Sequence, residues 1–191
     1  MKKILASILI VLSLVSSGCT NTNVTTAGYL NNTQKIKAEN LQYYFTKANQ
    51  HPDQQLIKVI NSSKNTLDIA IYSLTKQNIV NSIISAKNRG VNVRIMTDKT
   101  ESGSKSERKE LTLLRNAKIP IKINKHPGLL HLKMTVADKK IATTGSYNYT
   151  ENASSKNDEI LVIINEPKIA KGFDNEFENM WSDNEGYKNY K

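Results

Sequence analysis

The stretch HLKMTVADKKIATTGSYN, running from His131 to Asn148, decides how the rest of the chain is read. It sets a histidine, a lysine, an aspartate, a Gly-Ser pair and an asparagine among apolar residues. In isolation, a decorated hairpin and the working edge of an enzyme look alike. Read as a strand, LHLKMTVA places His131 and Lys133 on one face, because strand side chains alternate with a period of two, and turns Leu132 and Met134 into packing. Asp138-Lys139-Lys140 then reads as a turn and KIATT as the returning strand of a hairpin. Gly145-Ser146-Tyr147-Asn148 follows, so Ser146 and Asn148 share a face and come back toward His131. One surface thus gathers an imidazole, an ammonium, a hydroxyl and a carboxamide. That set suits a phosphate. Lys133 brings charge, Ser146 and Asn148 bring neutral donors, and Gly145 admits close approach of the backbone. An imidazole can attack phosphorus or carry a proton near neutral pH.

Working outward, strands and helices alternate. LQYYF (Leu41 to Phe45), LDIAIY (Leu67 to Tyr72), VNVRIMT (Val91 to Thr97), Ile121 to Ile123 and EILVII (Glu159 to Ile164) read as strands. Asp53 to Ser62 and Lys76 to Arg89 carry apolar residues at helical spacing, and Gly90 stands where a helix C-cap is expected. DKTESGSKSERKE has no core signal and reads as a mobile loop running into a helix that holds Leu111 and Leu114. A final helix, from about Pro167 to Trp181, presents Ile169, Phe173, Phe177, Met180 and Trp181 inward. The alternation predicts an α/β fold, a mixed β-sheet sandwiched between helices, with chemistry at strand ends where loops converge. No Gly-rich phosphate loop and no Cys/His metal cluster is seen in the sequence.

His131-x-Lys133, four residues, Asp138, six residues and Gly145-Ser146 spell HxK(x)4D(x)6GS, and on these residues the chain resembles the phospholipase D superfamily. Asn148 matches the asparagine that often follows, and Glu159 the downstream acidic residue. IAIYSLT (Ile69 to Thr75) and RGVNVRIMTD (Arg89 to Asp98) resemble the small bacterial endonuclease branch. The resemblance covers nearly all of Leu41 to Trp181. It implies that His131 is the nucleophile of a phosphohistidine intermediate and that Lys133 and Asn148 hold phosphoryl oxygens. It implies further that Glu159 orients an imidazole, and that Asp138, Gly145 and Ser146 support the loops, Asp138 mostly as a turn former.

The family reaction uses two histidines, and larger members carry two motifs. This chain has one motif, and neither His51 nor His126 begins an H-x-K. The resemblance therefore implies a homodimer with the site on its two-fold axis. It implies no metal and no cofactor, since lysine and the second histidine bring the positive charge.

The N-terminus reads as export machinery. Lys2 and Lys3 lead an apolar run, Ile4 to Val15, and Ser16-Ser17-Gly18 precede Cys19, so residues 1–18 read as a signal peptide. Cys19, the single cysteine, allows no intramolecular disulfide and resembles the lipidated residue of a bacterial lipobox, although Ser16 stands where leucine is usual. The expected location is the bacterial cell envelope, with the protein anchored through Cys19 or, without lipidation, periplasmic or secreted. Residues 19–40 are rich in Thr and Asn and read as a tether, and residues 41–191 as the catalytic domain.

Removing Lys2 and Lys3 lowers the formal charge by two, from +10 to +8. A basic exported protein favours polyanions: nucleic acid, anionic headgroups or envelope polymers. From Lys99 to Lys125 eight Lys or Arg stand against three acids, and Lys99, Lys105, Arg108 and Lys109 are candidates for backbone-phosphate contact. The leading expectation is a metal-independent, sequence-nonspecific endonuclease acting on DNA, with RNA as a second nucleic-acid substrate. The rival enzyme is a phospholipase D, which wants an apolar rim near His131 that Gly128-Leu129-Leu130 could supply. A third reading is a non-catalytic, DNA-binding envelope lipoprotein.

Overall fold

The structure, a computed structural model, describes residues 37–191; the signal segment, Cys19 and the tether as far as residue 36 lie outside the described residues. A 3-10 turn, Ala38–Asn40, leads into strand β1, Leu41–Phe45. The order along the chain is then α1 (Pro52–Ser62), β2 (Thr66–Ile71), α2 (Gln77–Asn88), β3 (Asn92–Thr97), α3 (Lys105–Asn116) and β4 (Ile121–Asn124). It continues with β5 (Lys133–Ala137), β6 (Ile141–Gly145), α4 (Glu151–Ser155), β7 (Ile160–Ile164), α5 (Pro167–Ser182) and β8 (Tyr187–Asn189). All strands join one sheet in the order β1-β7-β6-β5-β2-β3-β4-β8. β2, β3 and β4 are mutually parallel, and every other neighbouring pair is antiparallel.

The α/β sandwich expected from the sequence is the observed architecture. On one face, Leu56 and Ile60 of α1, Ile79 and Ile83 of α2 and Leu111 and Leu114 of α3 close over Leu67, Ile69, Val93 and Ile95. On the other, α5 lays Phe177 and Met180 on Ala70, Met96, Met134 and Val136, with Phe173 and Trp181 packed at the edge. Burial of this kind, at roughly 25 cal/mol per Å² of apolar surface, is the main term holding the layers together. The second layer carries a buried ion-pair network. Arg94 of β3 bonds Asp68 at 2.7 Å and both carboxylate oxygens of Glu178 on α5, at 3.0 and 2.8 Å. Its guanidinium lies 4.9 Å from the Phe177 ring and 5.3 Å from that of Trp181.

Three readings change. The expected mobile loop at 98–110 is largely ordered: a 3-10 turn, Glu101–Gly103, and then α3, which starts at Lys105. Ser104 caps α3 by accepting from the Glu107 N–H, and Glu107 and Glu110 are buried rather than solvated. Glu107 takes hydrogen bonds from the Leu74 N–H at 3.1 Å and Thr97 Oγ1 at 2.6 Å, and burial pushes its carboxyl up to about 7. Second, β5 begins at Lys133, so His131 and Leu132 precede the strand; Leu132 is 39% exposed, and Leu130 goes into the core instead. The physical reason is Asp98, whose buried carboxylate takes the Leu130 N–H at 2.8 Å and draws that residue inward. Third, α4 and β8 were not anticipated. α4 is a single capped turn and a half, and β8 is a short polar edge strand added to β4.

Candidate active site

Strand direction fixes where the polar residues meet. The register pairs Ile71 with Lys133, Gly145 with Leu161 and Phe45 with Ile160, so the ends of β1, β2 and β6 and the starts of β5 and β7 share one edge of the sheet. His131, Lys133, Gly145, Ser146, Asn148 and Glu159 all line one open cleft there, of about 420 Å³. Asp138 is not among them. It sits at the opposite end of β5, about 16 Å away at some 3.3 Å per residue. There its carboxylate accepts from the N–H groups of Lys64, Asn65 and Thr66 at 2.9, 2.7 and 2.9 Å. Burial works to raise that carboxyl, but the amides prevail and hold it below the usual carboxylate range. It ties the hairpin to the start of β2 and takes no part in the cleft.

Lys133 is buried at the mouth of β5, and burial pushes its ammonium below the usual lysine range against the opposing pull of the Glu159 carboxylate. A poorly hydrated cation acts strongly on a nearby anion, since the surrounding dielectric is low. Its Nζ donates to the His131 carbonyl at 3.0 Å and stands 4.9 Å from the centroid of the Tyr72 ring. The His131 imidazole lies 4.7 Å from that same ring, tilted by 55°. Tyr72 therefore backs both groups. Sequence reasoning missed it, although its place at the end of LDIAIY, one residue past the partner of Lys133, was the available signal.

Gly145 is at φ +137°, and a Cβ there would lie 2.1 Å from the Ile160 carbonyl oxygen. That close approach lets Ile160 O receive the N–H groups of Ser146 and Tyr147 at 3.1 and 3.3 Å and so turns the chain into the cleft. Ser146 donates its hydroxyl to Glu159 Oε2 and receives the Ile160 N–H at 3.2 Å, while Asn157 Nδ2 reaches Glu159 Oε1 at 3.1 Å. Glu159 makes no hydrogen bond to His131 of its own chain among the described contacts. The Asn148 carboxamide oxygen is buried with no hydrogen-bond partner. That oxygen can only accept, so it is the amide NH2 of Asn148 that can donate to a phosphoryl oxygen in the cleft.

The loop ahead of His131 is clamped. Besides Asp98 on Leu130, Asn124 donates to Gly128 O at 2.8 Å and receives the Lys99 N–H at 2.8 Å. Lys99 Nζ donates to the His126 carbonyl at 2.7 Å, which makes it a strut of this loop. Of the other basic candidates, Arg108 bonds the Gly103 carbonyl at 2.7 Å and Lys109 lies 3.3 Å from Glu110. Lys105 is exposed at the start of α3. His51 is an exposed residue ahead of α1, and His126 packs edge-on to Tyr187; neither lines the cleft. No group of three or more His, Cys, Asp or Glu side chains suited to a metal ion occurs among the described residues, and no described helix is long and apolar enough to cross a membrane.

Residues 56–181 match the family described as cardiolipin synthase, PLD-like domain. A phospholipase D of Rickettsia conorii is 34% identical over 114 residues, covering 60% of this chain and 56% of the relative. A mitochondrial cardiolipin hydrolase of Chlamydomonas reinhardtii is 26% identical over 127 residues, covering 66% of this chain and 56% of the relative. The chain thus spans about half the length of these curated relatives. The phospholipase D family member Nuc from Salmonella typhimurium superimposes with a TM-score of 0.73 at 26% identity, over 79% of this chain and 97% of Nuc. NucT from Helicobacter pylori, with a TM-score of 0.68 at 21% identity over 78% and 99% of the two chains, shares the fold.

Proposed function

This chain belongs to the phospholipase D-like domain family, and on that premise we propose that it is a phosphodiesterase that cleaves nucleic acid internally through a phosphohistidine on His131. The observation that carries the proposal is the cleft itself. An exposed imidazole, a desolvated ammonium and a carboxamide line one open surface at the end of the sheet. The His131 nitrogen attacks phosphorus and forms an N–P bond as the bond to the leaving oxygen breaks. Lys133 and Asn148 hold the non-bridging oxygens, where negative charge builds in the transition state. A second imidazole gives its proton to the leaving oxygen. It then takes one from the water that attacks phosphorus and frees His131.

A polymeric polyanion is favoured as substrate by the open cleft and by the formal charge of +8 that is left without Lys2 and Lys3 (+10 less two). A phospholipid is the second reading, supported by the exposed Leu129 and Leu132 on either side of Leu130 and His131, at 53% and 39%, and by the relatives named phospholipase D and cardiolipin hydrolase. Assay of the purified protein with plasmid DNA, RNA and anionic phospholipid vesicles separates the two. DNA cleavage that persists in EDTA is the expected result, because lysine and imidazole neutralise the phosphate. Turnover of vesicles alone, or activity that vanishes in EDTA and returns with a divalent ion, overturns the proposal.

The second imidazole comes from a second copy of the chain. His51 and His126 lie outside the cleft, and Glu159, which is held there by Ser146 and Asn157, makes no hydrogen bond to its own His131. Mixing wild type with excess His131→Asn subunits under exchange is then expected to suppress activity faster than dilution does, since each mixed dimer lacks either nucleophile or acid. A strictly linear fall with the wild-type fraction, or full activity from a demonstrated monomer, overturns the shared site. The proposed setting is an exported protein, held at the envelope through Cys19.

A further inference from the structure

A second pocket of about 340 Å³ adjoins the cleft and shares Ser146 and Glu159 with it. Its remaining walls are Phe45, Lys47, Asp158 and Ile160. Phe45 ends the edge strand β1 and is 42% exposed, and Tyr43, on the same face of that strand, is 56% exposed. The two rings stand 5.7 Å apart, edge to face. A lone exposed leucine needs no explanation, but two aromatic rings displayed in succession beside a reaction cleft do. The platform is also held in place. The Phe45 N–H donates to Gln50 Oε1 at 2.8 Å, the Phe45 carbonyl receives the Gln50 N–H at 3.3 Å, and the residue is paired with Ile160.

We propose that this pocket receives the nucleobase next to the scissile phosphate, stacked on Phe45, with Lys47 neutralising the phosphate beyond it. The proposal rests on the reading that the substrate is a nucleic acid. The chemistry of the walls selects the occupant. Asp158 and Glu159 repel a second phosphate or an anionic lipid headgroup, whereas a base is neutral, flat and edged with amino groups that a carboxylate can accept. Glu159 is already engaged by Ser146 and Asn157, so Asp158, exposed, is the carboxylate open to a base edge. Stacking on a protein ring demands a base released from its neighbours, so the pocket favours single strands over duplex.

The test uses Phe45→Ala, Phe45→Tyr and Lys47→Gln in the full chain. It compares kcat/KM on a single-stranded oligonucleotide with that on bis(p-nitrophenyl) phosphate, and follows the emission of a 2-aminopurine placed beside the cleavage point. The expected result is a fall of about tenfold or more in the oligonucleotide-to-small-diester ratio for Phe45→Ala, loss of the 2-aminopurine quench, and recovery of both in Phe45→Tyr. Lys47→Gln is expected to flatten the salt dependence of oligonucleotide binding. A ratio within twofold of wild type, on a protein that does cut the oligonucleotide, overturns the subsite and leaves the nuclease reading standing. An effect confined to phospholipid vesicles makes the pocket a lipid site and overturns it equally. A wild-type protein that hydrolyses the small diester and no nucleic acid removes the reading beneath the proposal.

Discussion

Replacing His131 with asparagine is expected to lower kcat by about 10,000-fold or more while leaving the fold intact, because one substitution removes both the nucleophile and, in a shared site, the general acid. Losses in groups that act as a unit do not add, so His131→Asn combined with Lys133→Met should be scarcely worse than the single change. The imidazole is exposed and rests against Tyr72, so little packing is lost, and the melting temperature should move by no more than a few degrees. The decisive measurement is trapping. Wild type quenched during turnover of a 32P-labelled diester should carry base-stable, acid-labile label on the protein, and the variant none. Label retained by His131→Asn, or wild-type turnover, would remove the nucleophile assignment.

Gly145→Ala is expected to destabilise the protein by about 3–5 kcal/mol, from a backbone conformation that non-glycine residues rarely adopt together with a steric overlap that only backbone movement relieves. At a few degrees per kcal/mol for a domain of this size, the melting temperature should drop by roughly 10 °C. The overlap is with a carbonyl of β7, so relief means parting β6 from β7 and drawing Ser146 and Asn148 away from Lys133. Activity should therefore fall more than stability at 25 °C accounts for. Gly90→Ala is the control. It carries the same kind of strain, at φ +90°, but its added Cβ meets nothing within 4 Å. Equal losses in the two variants would show that backbone conformation alone matters, and that the contact with Ile160 does not shape the cleft.

The sheet and the convergence of the cleft residues were legible in the sequence because both depend on strand periodicity. Alternation in VNVRIMT and the apolar runs of LDIAIY and EILVII place the strands, and a hairpin at Asp138 returns Ser146 and Asn148 to the level of Lys133. What was not legible depends on partners far along the chain. Glu107 and Glu110 read as solvated charges, yet the Leu74 N–H and Thr97 hydroxyl take Glu107 inside; the Ser104-x-x-Glu107 spacing was the local sign of a helix start there. Lys99 read as a phosphate contact, yet the His126 carbonyl holds it. Tyr72 backs His131 and Lys133 only because β2 pairs with β5, a strand some sixty residues later.

The pairing of β1 with β7 has a consequence for the wall of the cleft. Leu41 lies opposite Ile164 and Phe45 opposite Ile160, so the chain enters the sheet at the end remote from the cleft and runs toward it. Five residues of β1 thus carry the chain across the width of the sheet, from Leu41 at its far end to Phe45 beside the cleft. Whatever displaces β1 from β7 therefore moves Phe45 and the wall it forms beside Glu159 and Ile160.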